Sequence, residues 1–300
     1  MLNKKVLLIA ACCIILASCG SVRPSVNSDA ANAGQTTSTE TNSPGIPVNG
    51  EAVDDAADGS SNASAGAEEA NSDSSDAEAS PEYKYHINKA YNVVPNEEGT
   101  EKKVVLLTFD DGPKEKEMLE GLLDTLDKYE AKAIFFVNGY RVKKNPDLLK
   151  LIHERGQIIG NHSWDHIDLK KESADSARKQ IEDVQSIVEE TVGERPRFFR
   201  PPFGSGNDTL HGIVKDNEMI YMTWSNGSLD WDAKFKNKPE GVIQNVMDQL
   251  HPGSNILMHE LPWTEEALDE LLMKIQAAGY SFVDPRTISS APETPTPGGA

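Results

Sequence analysis

Between about residues 83 and 290, short apolar runs alternate with longer stretches in which apolar residues recur every three or four positions. The runs VVLLTF, AIFFV, QIIGN, RFFR, MIYMTW, NILMH and YSFV have the length and the β-branched or aromatic content of strands. The stretches between them read as helices. Residues 115–129 place Met118, Leu119, Leu122, Leu123 and Leu126 on one face, and residues 173–192 do the same with Ile181, Val184, Ile187 and Val188. Further helices are predicted over 146–154, 208–216, 239–250 and 265–278. Strands that are apolar on both faces and separated by helices indicate an α/β fold built on a parallel sheet.

Outside this region the pattern changes. Residues 1–18 carry Lys4 and Lys5, then VLLIAACCIILA, then small residues, which is the layout of a secretory signal too short to span a bilayer core. The run Leu16-Ala17-Ser18-Cys19 looks like a bacterial lipobox, in which Cys19 would be lipidated and become the mature N-terminus; the alternative is an ordinary cleaved signal. Cys12, Cys13 and Cys19 are the chain's three cysteines, so an exported form would hold its fold without disulfides. Residues 19–82 are Ser, Ala, Asn, Gly, Thr, Asp and Glu with almost no large apolar side chain. They are expected to form a disordered tether, as is the tail 291–300. Twelve acidic residues against the single base Arg23 put eleven of the chain's nineteen net negative charges in that tether. The acidity therefore says little about the folded domain's partner, although it argues against nucleic acid.

Five polar clusters each follow an apolar run: Thr108-Phe109-Asp110-Asp111-Gly112-Pro113, Asn161-His162-Ser163-Trp164-Asp165-His166, Arg200-Pro201-Pro202-Phe203-Gly204, Asp230-Trp231, and His259-Glu260. In parallel α/β sheets the carboxyl ends of strands form one rim, so clusters far apart in sequence can converge there. Asp111, His162 and His166 make a carboxylate and two imidazoles, the ligand class of a catalytic zinc or a similar divalent ion. His-x-x-x-His alone is weak, and one aspartate could serve as the cap of the helix beginning near Glu115. A second aspartate needs another reason. If Asp111 binds the ion, Asp110 is free to take a proton from the attacking water, and Arg200 would hold Asp110 ionised and aimed. His259 is the candidate acid for the leaving group, with Asp230 favouring its imidazolium. Trp231 and Leu257 are either pocket walls or plain core.

Taken together, TFDDGP, HSWDH, RPPFG, the Asp-Trp pair and LMH resemble the polysaccharide deacetylases, the NodB-homology or carbohydrate esterase family 4 group, over about residues 103–284. The resemblance implies a distorted (β/α) barrel over 83–290 and metal-dependent removal of acetyl groups from sugars. It makes Asp110 the base, Asp111, His162 and His166 the ligands of a divalent metal (zinc, with cobalt or another divalent ion as the alternatives), Arg200 the residue orienting the base, and Asp230 the partner of the acid His259. Trp231 and Leu257 would line the acetyl pocket, and the backbone N–H of Phe203 would help hold the oxyanion. Two positions depart from the family pattern: Gly227 stands where many members have Asp, and Glu260 follows His259 in place of the frequent Asp. The expected protein is an exported, lipid-anchored deacetylase of N-acetylated glycan, with peptidoglycan N-acetylglucosamine as substrate. The alternatives are an O-acetyl esterase acting on xylan or a similar polymer, and a non-catalytic glycan-binding protein.

Overall fold

A computed structural model describes residues 82–290. In chain order its strands and helices are β1 (Tyr85–Ile87), β2 (Val93–Pro95), β3 (Val104–Gly112), α1 (Lys116–Lys128), β4 (Ala133–Val137), α2 (Gly139–Lys144), α3 (Pro146–Glu154), β5 (Ile158–Asn161), α4 (Ala174–Val192), β6 (Phe198–Phe199), α5 (Asp208–Asp216), β7 (Ile220–Tyr221), β8 (Asn226–Gly227), α6 (Pro239–Asp248), β9 (Ser254–His259), α7 (Pro262–Ala277), β10 (Ser281–Phe282) and β11 (Ile288–Ser289). The signal, the tether apart from its last residue Glu82, the Cys19 anchor and the C-terminal tail expected from sequence lie outside the described residues.

The helices follow the predicted apolar spacing closely. In α1 the side chains of Leu119, Leu122, Leu123 and Leu126 are fully buried, and Glu115 caps the helix by accepting from the Met118 N–H at 3.3 Å. Asp111 is therefore not the cap. The helix from Pro262 begins three residues before the predicted start at 265, because the proline is accommodated in the first turn, where no N–H is needed. Strands β3 and β4 are buried on both faces over almost their whole length, as parallel strands covered by helices must be. The sequence pattern does not reveal α2, β1, β2, β8 or β11. Except for the six-residue α2, these have two or three residues each, too few for a period to register.

The main sheet has the order β7-β6-β5-β4-β3-β9-β8, with β10 against the start of β3, and all its pairings are parallel. A second sheet, β11-β1-β2, packs antiparallel and parallel pairs beside it. Strands β7 and β8 stand at opposite ends of the main order, yet Tyr221 and Asn226 end and begin them. Five residue steps reach at most about 18 Å, so the two edges must curl towards each other. The expected distorted barrel is thus found as an incompletely closed one, with a seam crossed by the connecting residues. Met222 N–H bonds to Phe199 on one side at 3.0 Å and Ser225 N–H to Asn255 on the other at 3.1 Å. This shortens the predicted strand MIYMTW to two paired residues, since the rest of that run spans the seam.

Candidate active site

Adjacent residues of a regular strand point to opposite faces, which would aim only one of Asp110 and Asp111 at the rim. Strand β3 avoids this. Its pairing with β4 slips between Asp110 and Gly112, and Asp111 takes φ of 67°. The extra residue is a bulge, and it swings the second carboxylate to the side of the first.

The His162–His166 segment is a loop and not a helical turn, with left-handed backbone at Ser163 (φ 66°) and His166 (φ 54°). Asn138 at the end of β4 holds this loop by donating from Nδ2 to the His162 carbonyl at 2.9 Å. Gly139 leaves room for the Trp164 indole, since a Cβ there would lie 2.2 Å from the ring. His162 is buried, and its Nδ1 lies 2.7 Å from the Arg200 carbonyl oxygen. A carbonyl only accepts, so Nδ1 carries the proton and Nε2 presents a bare lone pair. Burial lowers the His162 pKa despite the nearby aspartates, which keeps that lone pair available.

The Nε2 atoms of His162 and His166 lie 3.6 and 3.2 Å from Asp111 Oδ1, an oxygen that is buried and has no hydrogen bond. Bonds of about 2.1 Å to a tetrahedral divalent ion separate neighbouring ligand atoms by about 3.4 Å. All three atoms lie within 4.8 Å of one another, and the two distances to Asp111 Oδ1 together with its missing partner are what a bound metal would explain. Burial would raise the Asp111 pKa, but His162, His259, His166 and Lys114 outweigh it, and the carboxyl titrates below its ordinary range.

Beside this triad lies Asp110, whose Oδ1 accepts from Arg200 Nη1 at 2.7 Å. Arg200 is fully buried, contrary to what an arginine before two prolines usually does. Its remaining donors reach Thr108 Oγ1 at 2.8 Å, Asn255 Oδ1 at 3.2 Å, and the Thr223 carbonyl at 2.8 and 3.1 Å. The guanidinium also stacks over the Phe136 ring at 4.3 Å. It therefore closes the barrel seam and fixes Asp110 with the same set of bonds.

On the other side, His259 Nδ1 lies 2.8 Å from Asp230 Oδ1, and the His259 backbone N–H donates to Asp230 Oδ2 at 2.7 Å. Thr264 in the first turn of α7 donates its hydroxyl to the same Oδ2 at 2.7 Å, and Trp263 Nε1 donates to the Asp230 carbonyl at 2.8 Å. Burial opposes charge on the imidazole, but the bond to Asp230 and the charges of Asp230, Asp110 and Asp111 prevail. The His259 pKa is raised.

The chain matches the family model described as polysaccharide deacetylase over residues 97–222. It is 32% identical over 206 residues to the peptidoglycan-N-acetylglucosamine deacetylase of Bacillus cereus, covering 67% of this chain and 70% of that protein. The chain belongs to the polysaccharide deacetylase family. Another relative, the peptidoglycan-N-acetylmuramic acid deacetylase PdaC of Bacillus subtilis, is 39% identical over 63% of this chain, and the match spans only 40% of its own length. Among solved structures, a carbohydrate esterase family 4 pseudoenzyme from Bacillus anthracis superposes with a TM-score of 0.59 at 33% identity, covering 63% of this chain and 66% of that one.

Within this polysaccharide deacetylase fold the other predicted positions fall around the rim. Phe203, with φ of 61°, exposes 66% of its surface and lays its ring edge-on 4.8 Å from His166. Trp231 is 45% exposed and 5.3 Å from the His259 ring, which excludes the core reading for it. Leu257 is 3% exposed and pairs with both Thr108 and Gly227 in the sheet. Gly227 lies in β8, and the Gln249 side chain accepts from its N–H at 3.3 Å and donates to its carbonyl at 2.8 Å. Sequence reasoning missed Thr264, Asn255, Thr223 and Asn138. Thr108 opens the polar cluster that ends β3, whereas Thr264 lies in an ordinary helix start with no signal of its own.

Proposed function

We propose that this chain is a zinc-dependent hydrolase that removes N-acetyl groups from peptidoglycan, acting on N-acetylglucosamine units. The observation that carries the reading is the orphaned Asp111 Oδ1 facing two imidazole Nε2 atoms, flanked by one aspartate held by arginine and one imidazole held by aspartate. A divalent ion bound to Asp111, His162 and His166 would supply Lewis-acid polarisation of the acetyl carbonyl and acidify a water.

The protein's own groups do the rest. Asp110 accepts the proton of the attacking water as its oxygen bonds to the carbonyl carbon. Arg200 keeps that carboxylate aimed, and the Phe203 backbone N–H would face the developing oxyanion. His259, protonated through Asp230, gives its proton to the nitrogen as the C–N bond breaks, releasing acetate and a free amine. The exposed rings of Phe203 and Trp231 offer apolar faces on either side to the sugar and its methyl group.

Support for the substrate comes from the relatives, whose names cite peptidoglycan glucosamine and muramic acid units. The test measures acetate and amine release from purified peptidoglycan and from N-acetylglucosamine oligomers, with and without chelator. Mass spectrometry of the muropeptides locates the lost acetyl group. Turnover of O-acetyl esters alone would replace this reading with the esterase one, and no turnover of either in the zinc-loaded protein would leave a glycan-binding pseudoenzyme. Lipid anchoring at Cys19 on the outer face of a bacterial membrane is part of the same proposal. It fails if Cys19→Ala leaves membrane retention and mature mass unchanged.

A further inference from the structure

Backbone pairing between β3 and β9 stops at Asp110 and His259. The next residue, Glu260, is 1% exposed and carries its side chain across the gap. Its Oε2 accepts from the Lys114 N–H at 2.9 Å, and its backbone carbonyl accepts from Lys114 Nζ at 3.2 Å. Its Oε1 sits over Gly112, where a Cβ would come within 1.8 Å, and that oxygen has no hydrogen-bond partner. The Asp111-to-Lys114 turn is thus gripped from two sides. On the far side the Gly112 carbonyl accepts from Asn138 N–H at 3.0 Å and the Pro113 carbonyl from Asn145 Nδ2 at 3.1 Å. On the near side Pro113 has no N–H to offer, and the Lys114 N–H goes to Glu260.

A buried carboxyl with one oxygen unmatched costs stability, and an apolar residue of similar volume would not. Such a group persists where it sets a geometry. We propose that Glu260 is a positioning residue, a side-chain clamp that continues the β3–β9 pairing past its backbone end and holds the Asp111 bulge in register with His259. It never touches substrate; it acts through the turn, setting where the carboxylate ligand stands relative to the acid. Gly112 is required because the clamp occupies the space of its side chain. The proposal rests on the reading of Asp111, His162 and His166 as a metal site, and extends it to a residue that departs from the family's frequent Asp.

The test uses the full chain loaded with cobalt(II), read by its visible ligand-field spectrum, together with zinc affinity by chelator competition. Glu260→Ala and the shorter Glu260→Asp should alter the cobalt band, weaken zinc binding about tenfold and lower kcat with little change in KM. Glu260→Gln, which keeps an acceptor for the Lys114 N–H, should restore band and affinity. Gly112→Ala should reproduce the shift in the parent chain and add little in the Glu260→Ala background, because both remove one contact. A folded Glu260→Ala chain with an unaltered cobalt spectrum and unaltered zinc affinity overturns the clamp, as does a Gln variant as impaired as Ala. These readouts do not need turnover. A parent chain that takes up no cobalt would instead sink the metal reading itself, a different result from cobalt bound alike by parent and variant.

Discussion

Two buried aspartates face the centre, and they are held in different ways. Asp110 is held by Arg200, a guanidinium that also bonds Thr108, Thr223 and Asn255 and cannot lose its charge at any pH of interest. Asp230 is held by a backbone N–H, by the Thr264 hydroxyl, and by His259, whose ring can lose its proton. The first arrangement aims a carboxylate through a donor of fixed charge on one of its oxygens, which would suit the proton acceptor proposed for Asp110. The second spends the carboxylate on keeping a proton on its neighbour, which suits a group that must give one. In the proposed roles of base and acid support, the two aspartates differ in whether the partner is a fixed or a removable cation.

The sharpest break in that comparison comes from separating metal from base. His166→Ala should lose metal and activity together, whereas Asp110→Asn should keep full metal occupancy and lower kcat by about 10²–10⁴-fold, the worth of a positioned base. Metal analysis beside kinetics reads both, and equal metal loss in the two variants would end the division of labour between Asp110 and Asp111. On the acid side, His259→Ala should depress deacetylation of N-acetylglucosamine oligomers at least about a hundredfold while sparing an aryl acetate, whose leaving group needs no proton. Equal losses on both substrates would make His259 structural.

A smaller effect is expected from Asp230→Asn. Asp230 raises the His259 pKa, and the acid works only while protonated, so activity falls as pH rises through that pKa. Removing the negative charge lowers it, and the alkaline limb of the kcat profile should move to lower pH. An unmoved limb assigns it to another group. Least of all, Thr264→Val should lower kcat about tenfold or less, read by steady-state kinetics, since Asp230 keeps two of its three side-chain donors.

Much of this was legible in the chain itself. The helix over 208–216 and that over 146–154 appear with the bounds their apolar spacing predicts, because a helix repeats its signal every turn. The motif residues were legible because the carboxyl ends of parallel strands must meet at one rim. The partners were not. Thr264 reaches Asp230 across 34 positions and Arg200 reaches Thr108 across 92, and nothing in the local composition of either segment records the meeting.

By itself, then, the order of residues determined the strand and helix succession, the parallel sheet, and the set of ionisable groups gathered at its rim, since these follow from periodicity and from strand polarity. Only the tertiary structure decided that the sheet curls until its edges are bridged through Thr223, that Arg200 is buried in the seam, that Asp111 turns to the side of Asp110 through a bulge, and that Glu260 covers Gly112. Each of these depends on a distance between residues far apart in sequence, and a contact of that kind is set by packing and chain closure, to which no local pattern of polar and apolar residues is sensitive.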